Sequence, residues 1–303
     1  MTVETIAASP EGLKGVAAFR AMLAGQPDDA ETDLATRRAR LVAFAASAPK
    51  PTGVEIGDTR VGGVRVLRID PPEYRGQALY LHGGAYVLGS ADTHLRLAAG
   101  YALASGARVW VVDYRLAPEH SYPAALDDAV AVWRGLPAGP AAIIGDSAGG
   151  GLALALAQRI RRDRLQQPAG LALVSPWADL TLTNESISAK AKAEIMLSKR
   201  GLAKDADRYR GTLDASDPGI SPLLGDMTGL PPTFIQVGTE EILYDDSRLL
   251  AERITAAGGL AHLQIWQGMA HAWPAFGAAV PEAAASIDAL GAFCRKRLSE
   301  NAE

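Results

Sequence analysis

Two spacings of apolar residues take turns along this chain. From Leu13, Val16, Phe19 and Met22 to Leu34, Leu41 and Phe44 they recur at helical intervals with charges between them. This predicts one or two amphipathic helices, and no strand, over residues 1–50. Between Val54 and Ile69 the pattern alternates, with Val61, Val64, Val66 and Ile69 broken by Gly62-Gly63, which predicts a hairpin opening an antiparallel edge. Beyond it, short apolar runs at 78–81, 109–112, 141–144, 170–174, 232–237 and 262–266 read as buried strands. Helices are predicted over 124–136, after residue 147, over 247–257 and over 282–298. Strands apolar on both faces and alternating with helices imply a mostly parallel sheet covered on both sides. Residues 180–228 break the rhythm with a polar stretch, a helix expected over 189–206, and a loop around Pro218 and Pro222. An insertion of this kind can lie over the carboxyl ends of the sheet and shape a pocket.

Two glycine motifs stand at strand ends. Strand 141–144 runs into Gly145-Asp146-Ser147-Ala148-Gly149, followed by Leu152, Leu154, Leu156 and Ile160. This is a G-x-S-x-G nucleophile elbow between strand and helix, where the residues two before and two after the serine must be small. Strand 78–81 runs into His82-Gly83-Gly84-Ala85-Tyr86, a loop whose backbone N–H groups can approach a substrate oxygen unobstructed.

A serine alcohol needs an imidazole base, and the base an acid to fix its tautomer. Of the five histidines, His262 lies in or beside a strand, His94 and His120 have surface-like surroundings, and His82 suits orientation of the glycine loop. His271, in the loop after the last strand, is the expected base. The acid is sought among Glu240, Glu241, Asp245 and Asp246, all after strand 232–237, which gives the chain order Ser, acid, His used by α/β-hydrolases. Glu119 is expected to brace the elbow backbone, and the prolines at 118 and 123 to fix the loop around it.

Composition narrows the classes. The 303 residues are 48% hydrophobic and 21% charged, enough for a large core. A net charge of −4 argues against a nucleic-acid partner. Dinucleotide and phosphate loops and metal-ligand spacings are lacking, so neither cofactor nor metal is expected. The single cysteine, Cys294, is expected to be a packing residue. With no signal-peptide pattern and no run long enough for a membrane span, the expected location is cytoplasmic. The last strand is expected to form a sheet edge able to pair with a second copy in a homodimer.

The chain resembles the bacterial hormone-sensitive-lipase family (family IV) of α/β-hydrolase esterases, in its Gly-Asp-Ser-Ala-Gly branch. The resemblance spans nearly everything from Tyr80 to Trp273. It rests on His82-Gly83-Gly84, the run from Asp113 to Glu119, Gly145 to Gly150, Ser175-Pro176-Trp177 and Gly268-Met269-Ala270-His271. It implies an α/β-hydrolase fold with a mostly parallel central sheet flanked by helices, and a helical cap. Residues 1–50 and 180–228 would be cap, and 51–179 and 229–303 the catalytic domain. It further implies a cofactor-free serine carboxylesterase acting on small short-chain acyl esters, with Ser147, His271 and Glu241 as the triad. Gly238, Glu241, Leu243, Asp245 and Asp246 match the family's acid motif, with glutamate where many relatives have aspartate. The implied oxyanion hole is the amides of Gly83, Gly84 and Ala148; Ala85 stands where a third glycine is usual, and its participation is open. An amidase, thioesterase or lactone hydrolase would use the same machinery. A non-catalytic ligand receptor occurs on this fold where the histidine has been lost, and here His271 is retained.

Overall fold

The computed structural model describes residues 1–301. Nine strands form one sheet: β1 (Thr2–Ile6), β2 (Glu55–Val61), β3 (Val64–Asp70), β4 (Gln77–Leu81), β5 (Arg108–Val112), β6 (Ala141–Asp146), β7 (Leu171–Val174), β8 (Thr233–Gly238) and β9 (Ala261–Trp266). Their spatial order is β1-β9-β8-β7-β6-β4-β5-β3-β2, antiparallel only at β2/β3 and β3/β5.

Because successive side chains of a strand point to opposite faces, each apolar run feeds two cores. In β4, Leu79 and Leu81 join the cluster under α4 (Ala124–Gly135), α5 (Ala148–Arg162) and α8 (Tyr244–Ala256). Ala78 and Tyr80 join the opposite cluster under α3 (Leu95–Ser105) and α9 (Pro281–Glu300). Cys294 is packed in that second layer, where burial pushes its thiol up to about 12. The register aligns strand exits: Leu81 pairs with Gly145, Asp146 with Val174, Val174 with Gln236, and Gly238 with Trp266. The loops leaving β4, β6, β7, β8 and β9 therefore share one edge of the sheet. Among the described residues no helix is long and apolar enough to cross a membrane.

Three expectations need correction. Residues 1–50 contain a strand: β1 lies parallel to β9, Thr2 against His262 and Ile6 against Trp266. Its side chains are mostly exposed, so burial wrote no apolar alternation into the sequence. Second, β9 is consequently flanked on both sides and offers no free edge, which removes the structural ground for a homodimer through the last strand. Third, the helix expected over 189–206 is two, α6 (Ser186–Ala189) and α7 (Lys199–Arg210), the latter beginning afresh where Ser198 accepts the Gly201 N–H.

The N-terminal helices α1 (Pro10–Leu23) and α2 (Leu34–Ser47) meet the 180–228 insertion through polar groups. Arg37 on α2 makes a two-pronged pair with Asp205 on α7 at 2.9 and 2.7 Å, with the two side chains 4% and 1% exposed. Ser198 donates to Asp28 at 2.9 Å, and Lys204 to the Ala30 carbonyl at 2.6 Å.

Candidate active site

Ser147 sits between β6 and α5 at φ 52°, ψ −125°. Small neighbours are obligatory there: a Cβ on Gly145 would lie 2.3 Å from the Gly149 carbonyl oxygen, and one on Gly149 would lie 2.1 Å from that of Leu81. Hydrogen bonds on either side hold the turn. The Ser147 N–H donates to Val174 O, and its carbonyl accepts from Trp177 N–H, both at 2.9 Å. Of seven described non-glycine residues with positive φ, five lie in the strand-exit loops: Ala85, Tyr86, Ser147, Ser175 and Ala272. Strained backbone is thus concentrated where the chemistry would be.

The structure brings Ser147, His271 and Glu241 together. His271 Nε2 lies 2.9 Å from Ser147 Oγ, and Nδ1 lies 2.8 Å from Glu241 Oε2. A carboxylate only accepts, so Nδ1 carries the proton and Nε2 presents its lone pair to the serine hydroxyl. Burial pulls the imidazole's pKa down, but the Glu241 hydrogen bond and charge, with the charges of Glu194 and Asp146, outweigh it and raise it above the ordinary value. The other oxygen of Glu241 is occupied, accepting from Ser175 Oγ at 2.7 Å and Gly238 N–H at 2.8 Å. Ser175 also accepts the N–H of Ala272, next to His271, at 3.2 Å. Ser175 is thus a support the sequence reading quoted without giving it a role.

The remaining acid candidates separate by partner. Asp245 accepts the Ser186 N–H and Arg248 Nε. Asp246 accepts the amides of Ala178 and Asp179 and the side chain of Asn184, so both hold the insertion's entry. Glu240 takes the Thr239 hydroxyl at 3.1 Å. Glu119 does not brace the elbow: it is half exposed and paired at 2.6 Å with Arg38, which pulls its carboxyl down to about 2. Arg38 was not legible as a site residue, yet its guanidinium also donates to Val87 O at 2.9 Å and Ala117 O at 3.1 Å, tying α2 to the glycine-loop turn.

His82 is fully buried, bonded through Nδ1 to Gly83 O at 2.8 Å and stacked 4.2 Å from the Tyr114 ring. Burial, with the charge of His94, pushes it down to about 3, so it is a neutral prop. His94 is half-buried, 5.0 Å from His82 ring to ring, rather than surface-like.

The Gly83 N–H donates to Asp146 Oδ1 at 3.1 Å, an oxygen that also accepts the Tyr80 hydroxyl at 2.6 Å, so this amide is engaged. Among the described residues, the N–H groups of Gly84, Ala85 and Ala148 have no protein acceptor. Ala148 opens α5, where an N–H has no intrahelical partner and the dipole favours negative charge. Asp146 thus aligns the glycine loop against the elbow.

Known proteins resemble this chain along most of its length. A family model described as alpha/beta hydrolase fold matches residues 78–275. An acetyl-hydrolase of Streptomyces hygroscopicus is 40% identical over 255 residues, covering 82% of this chain and 85% of its own. The crystal structure of EstE5, soaked with p-nitrophenyl butyrate, superposes with a TM-score of 0.89 at 37% identity, covering 96% of this chain and 100% of that one. An esterase of the bacterial hormone-sensitive lipase family superposes with a TM-score of 0.90 at 36% identity, covering 97% and 100%. The chain belongs to the α/β-hydrolase fold family, and within it to the bacterial hormone-sensitive-lipase esterases.

Proposed function

We propose that the protein, a carboxylic ester hydrolase, acts on short-chain acyl esters, with Ser147 as nucleophile, His271 as base and Glu241 as the acid that orients it. The observation that carries this reading is the hydrogen-bonded line from Ser147 Oγ through His271 to Glu241. Ser147 Oγ attacks the ester carbonyl as its proton passes to His271 Nε2, and the amides of Gly84, Ala85 and Ala148 receive the oxyanion. Collapse of this intermediate expels the alcohol, protonated by His271, and leaves an acyl-serine. Water, deprotonated by the same imidazole, then releases the acid.

Short acyl chains are supported by two things. The Streptomyces relative is named an acetyl-hydrolase, and the EstE5 crystals were soaked with a butyrate ester. In this chain the space beside Gly151, one turn below the nucleophile, is filled: Tyr86 stacks 3.8 Å from Tyr209 and lies tilted 5.8 Å from Trp177, all three rings buried. Residues 1–50 and 180–228 act together as the cap, joined by the Arg37–Asp205 pair.

The test is labelling by a fluorophosphonate with peptide mapping, beside hydrolysis of p-nitrophenyl esters of increasing acyl length. Labelling at Ser147 with turnover falling as the chain lengthens is expected. Labelling without ester turnover would move the substrate to an amide, thioester or lactone. Because the Glu241 and Glu194 charges favour the imidazolium, the base form is lost at a higher pH than in a free imidazole. The acidic limb of kcat/KM should therefore lie above about pH 6.5.

A further inference from the structure

The residues assigned to the reaction leave one buried carboxylate beside it unused. Glu194 lies in the turn after α6 and is 8% exposed. Four backbone N–H groups hold it. Its Oε1 accepts from Ile195, Met196 and Leu197 at 2.8, 2.8 and 3.2 Å, and its Oε2 from Ile242 at 3.1 Å. The first three bonds wrap the insertion around the carboxylate and stop the helix expected to run through this segment. The fourth leaves the insertion altogether, because Ile242 directly follows Glu241.

Charged groups face His271 from three elements: Glu241 from the loop after β8, Glu194 from the insertion and Asp146 from the end of β6, each favouring the protonated ring. Glu194 in turn faces His271 and Glu241. Burial, with the Glu241 charge, holds its carboxyl above the ordinary value, against the His271 charge and the amides of Met196 and Ile242, which pull it down. A buried carboxylate that accepts several N–H bonds is favoured in its ionised form by those bonds.

We propose that Glu194 is a positioning residue of the ester-hydrolysing site: it locks the turn at 190–197 onto the loop that aims Glu241, and it adds a second negative charge facing the imidazolium. The proposal rests on His271 being the base. It makes the insertion part of the triad's support as well as a wall over it. As the Ser147 proton arrives on the ring, two carboxylates from different elements share its stabilisation.

The test compares wild type, E194Q and E194D in melting temperature, Ser147 labelling, and the pH profiles of kcat and kcat/KM for p-nitrophenyl acetate. E194Q should fold and still be labelled, with kcat lower by about tenfold and KM little changed. Its acidic limb should move to lower pH, since one charge favouring the imidazolium is gone. E194D keeps the charge and should restore the limb, while its shorter arm loses the Ile242 N–H and kcat stays low. An E194Q enzyme with wild-type kcat and limb overturns the proposal, as does one whose only loss is in melting temperature. Should E194Q not fold, E194D decides: lowered kcat with a wild-type limb supports the proposal and wild-type kcat overturns it. Failure of the Glu194 proposal leaves wild-type turnover intact. A wild-type protein inactive on every ester overturns the ester reading and this proposal with it.

Discussion

The strand-exit frame and the proposed cap, residues 1–50 and 180–228, place side chains equally closely but by different means. In the frame, Ser147, Glu241 and His271 stand in loops whose starting points are fixed by sheet register, so backbone pairing positions them before any side chain acts. In the cap, α2 and α7 are located by a buried guanidinium–carboxylate pair, and the turn at 190–197 by a carboxylate surrounded by amides. The frame distributes its position over many ladder bonds, so loss of one side chain there should change chemistry and leave the fold. The cap concentrates its position in a few charges, so loss of one should move an element.

The sharpest test of the difference is Ser147→Ala or His271→Ala. Each should lower kcat by about 10⁵-fold or more while stability changes by less than about 1 kcal/mol, read by ester turnover and thermal melting. Glu241→Ala should cost about 10³- to 10⁴-fold in kcat. Asp245→Ala, four residues on, should mainly lower the melting temperature, because Asp245 holds Ser186 and Arg248. Reversal of those two outcomes would reassign the acid. On the cap side, Asp205→Ala removes the two-pronged partner of the buried Arg37, leaving it only the more exposed Asp29 carboxylate at 2.9 Å, and should destabilise by about 1–3 kcal/mol in denaturant melts. A loss below about 1 kcal/mol would show that the cap is held as diffusely as the sheet. The smallest effect belongs to Ala85, at φ 54°. Ala85→Gly should relieve the left-handed backbone and stabilise by about 1 kcal/mol, with the oxyanion N–H retained and kcat within about twofold.

The same contrast decides what could be read in advance. The strands from β4 to β9 announced themselves, because a residue run buried on two faces must be apolar, whereas β2 and β3 showed through the alternation on either side of Gly62-Gly63. The elbow was legible because Gly145 and Gly149 are dictated by contacts under 2.5 Å. Bonds between distant polar groups leave no such mark. Nothing in the local sequence says that Asp146 reaches back 63 positions to take the Gly83 N–H, or that Arg38 holds Val87. Glu194 has the same obscurity: its neighbours Ala191, Ala193 and Met196 favour helix, and only the donors gathered around it explain the break at that point. Strand β1 was missed for a different reason. Thr2, Val3, Thr5 and Ile6 are β-branched, a signal of conformation without the burial that would have made it a pattern.

That strand carries a further consequence. Glu4 meets Gln264, 260 positions away, so β1 has no sheet to join until nearly the whole chain has been assembled. Such a closure pays its loop entropy for a strand of five residues with little buried surface. In the order of folding, the first strand of the chain is then the last to arrive, and until it docks β9 is an open edge on which another molecule could template.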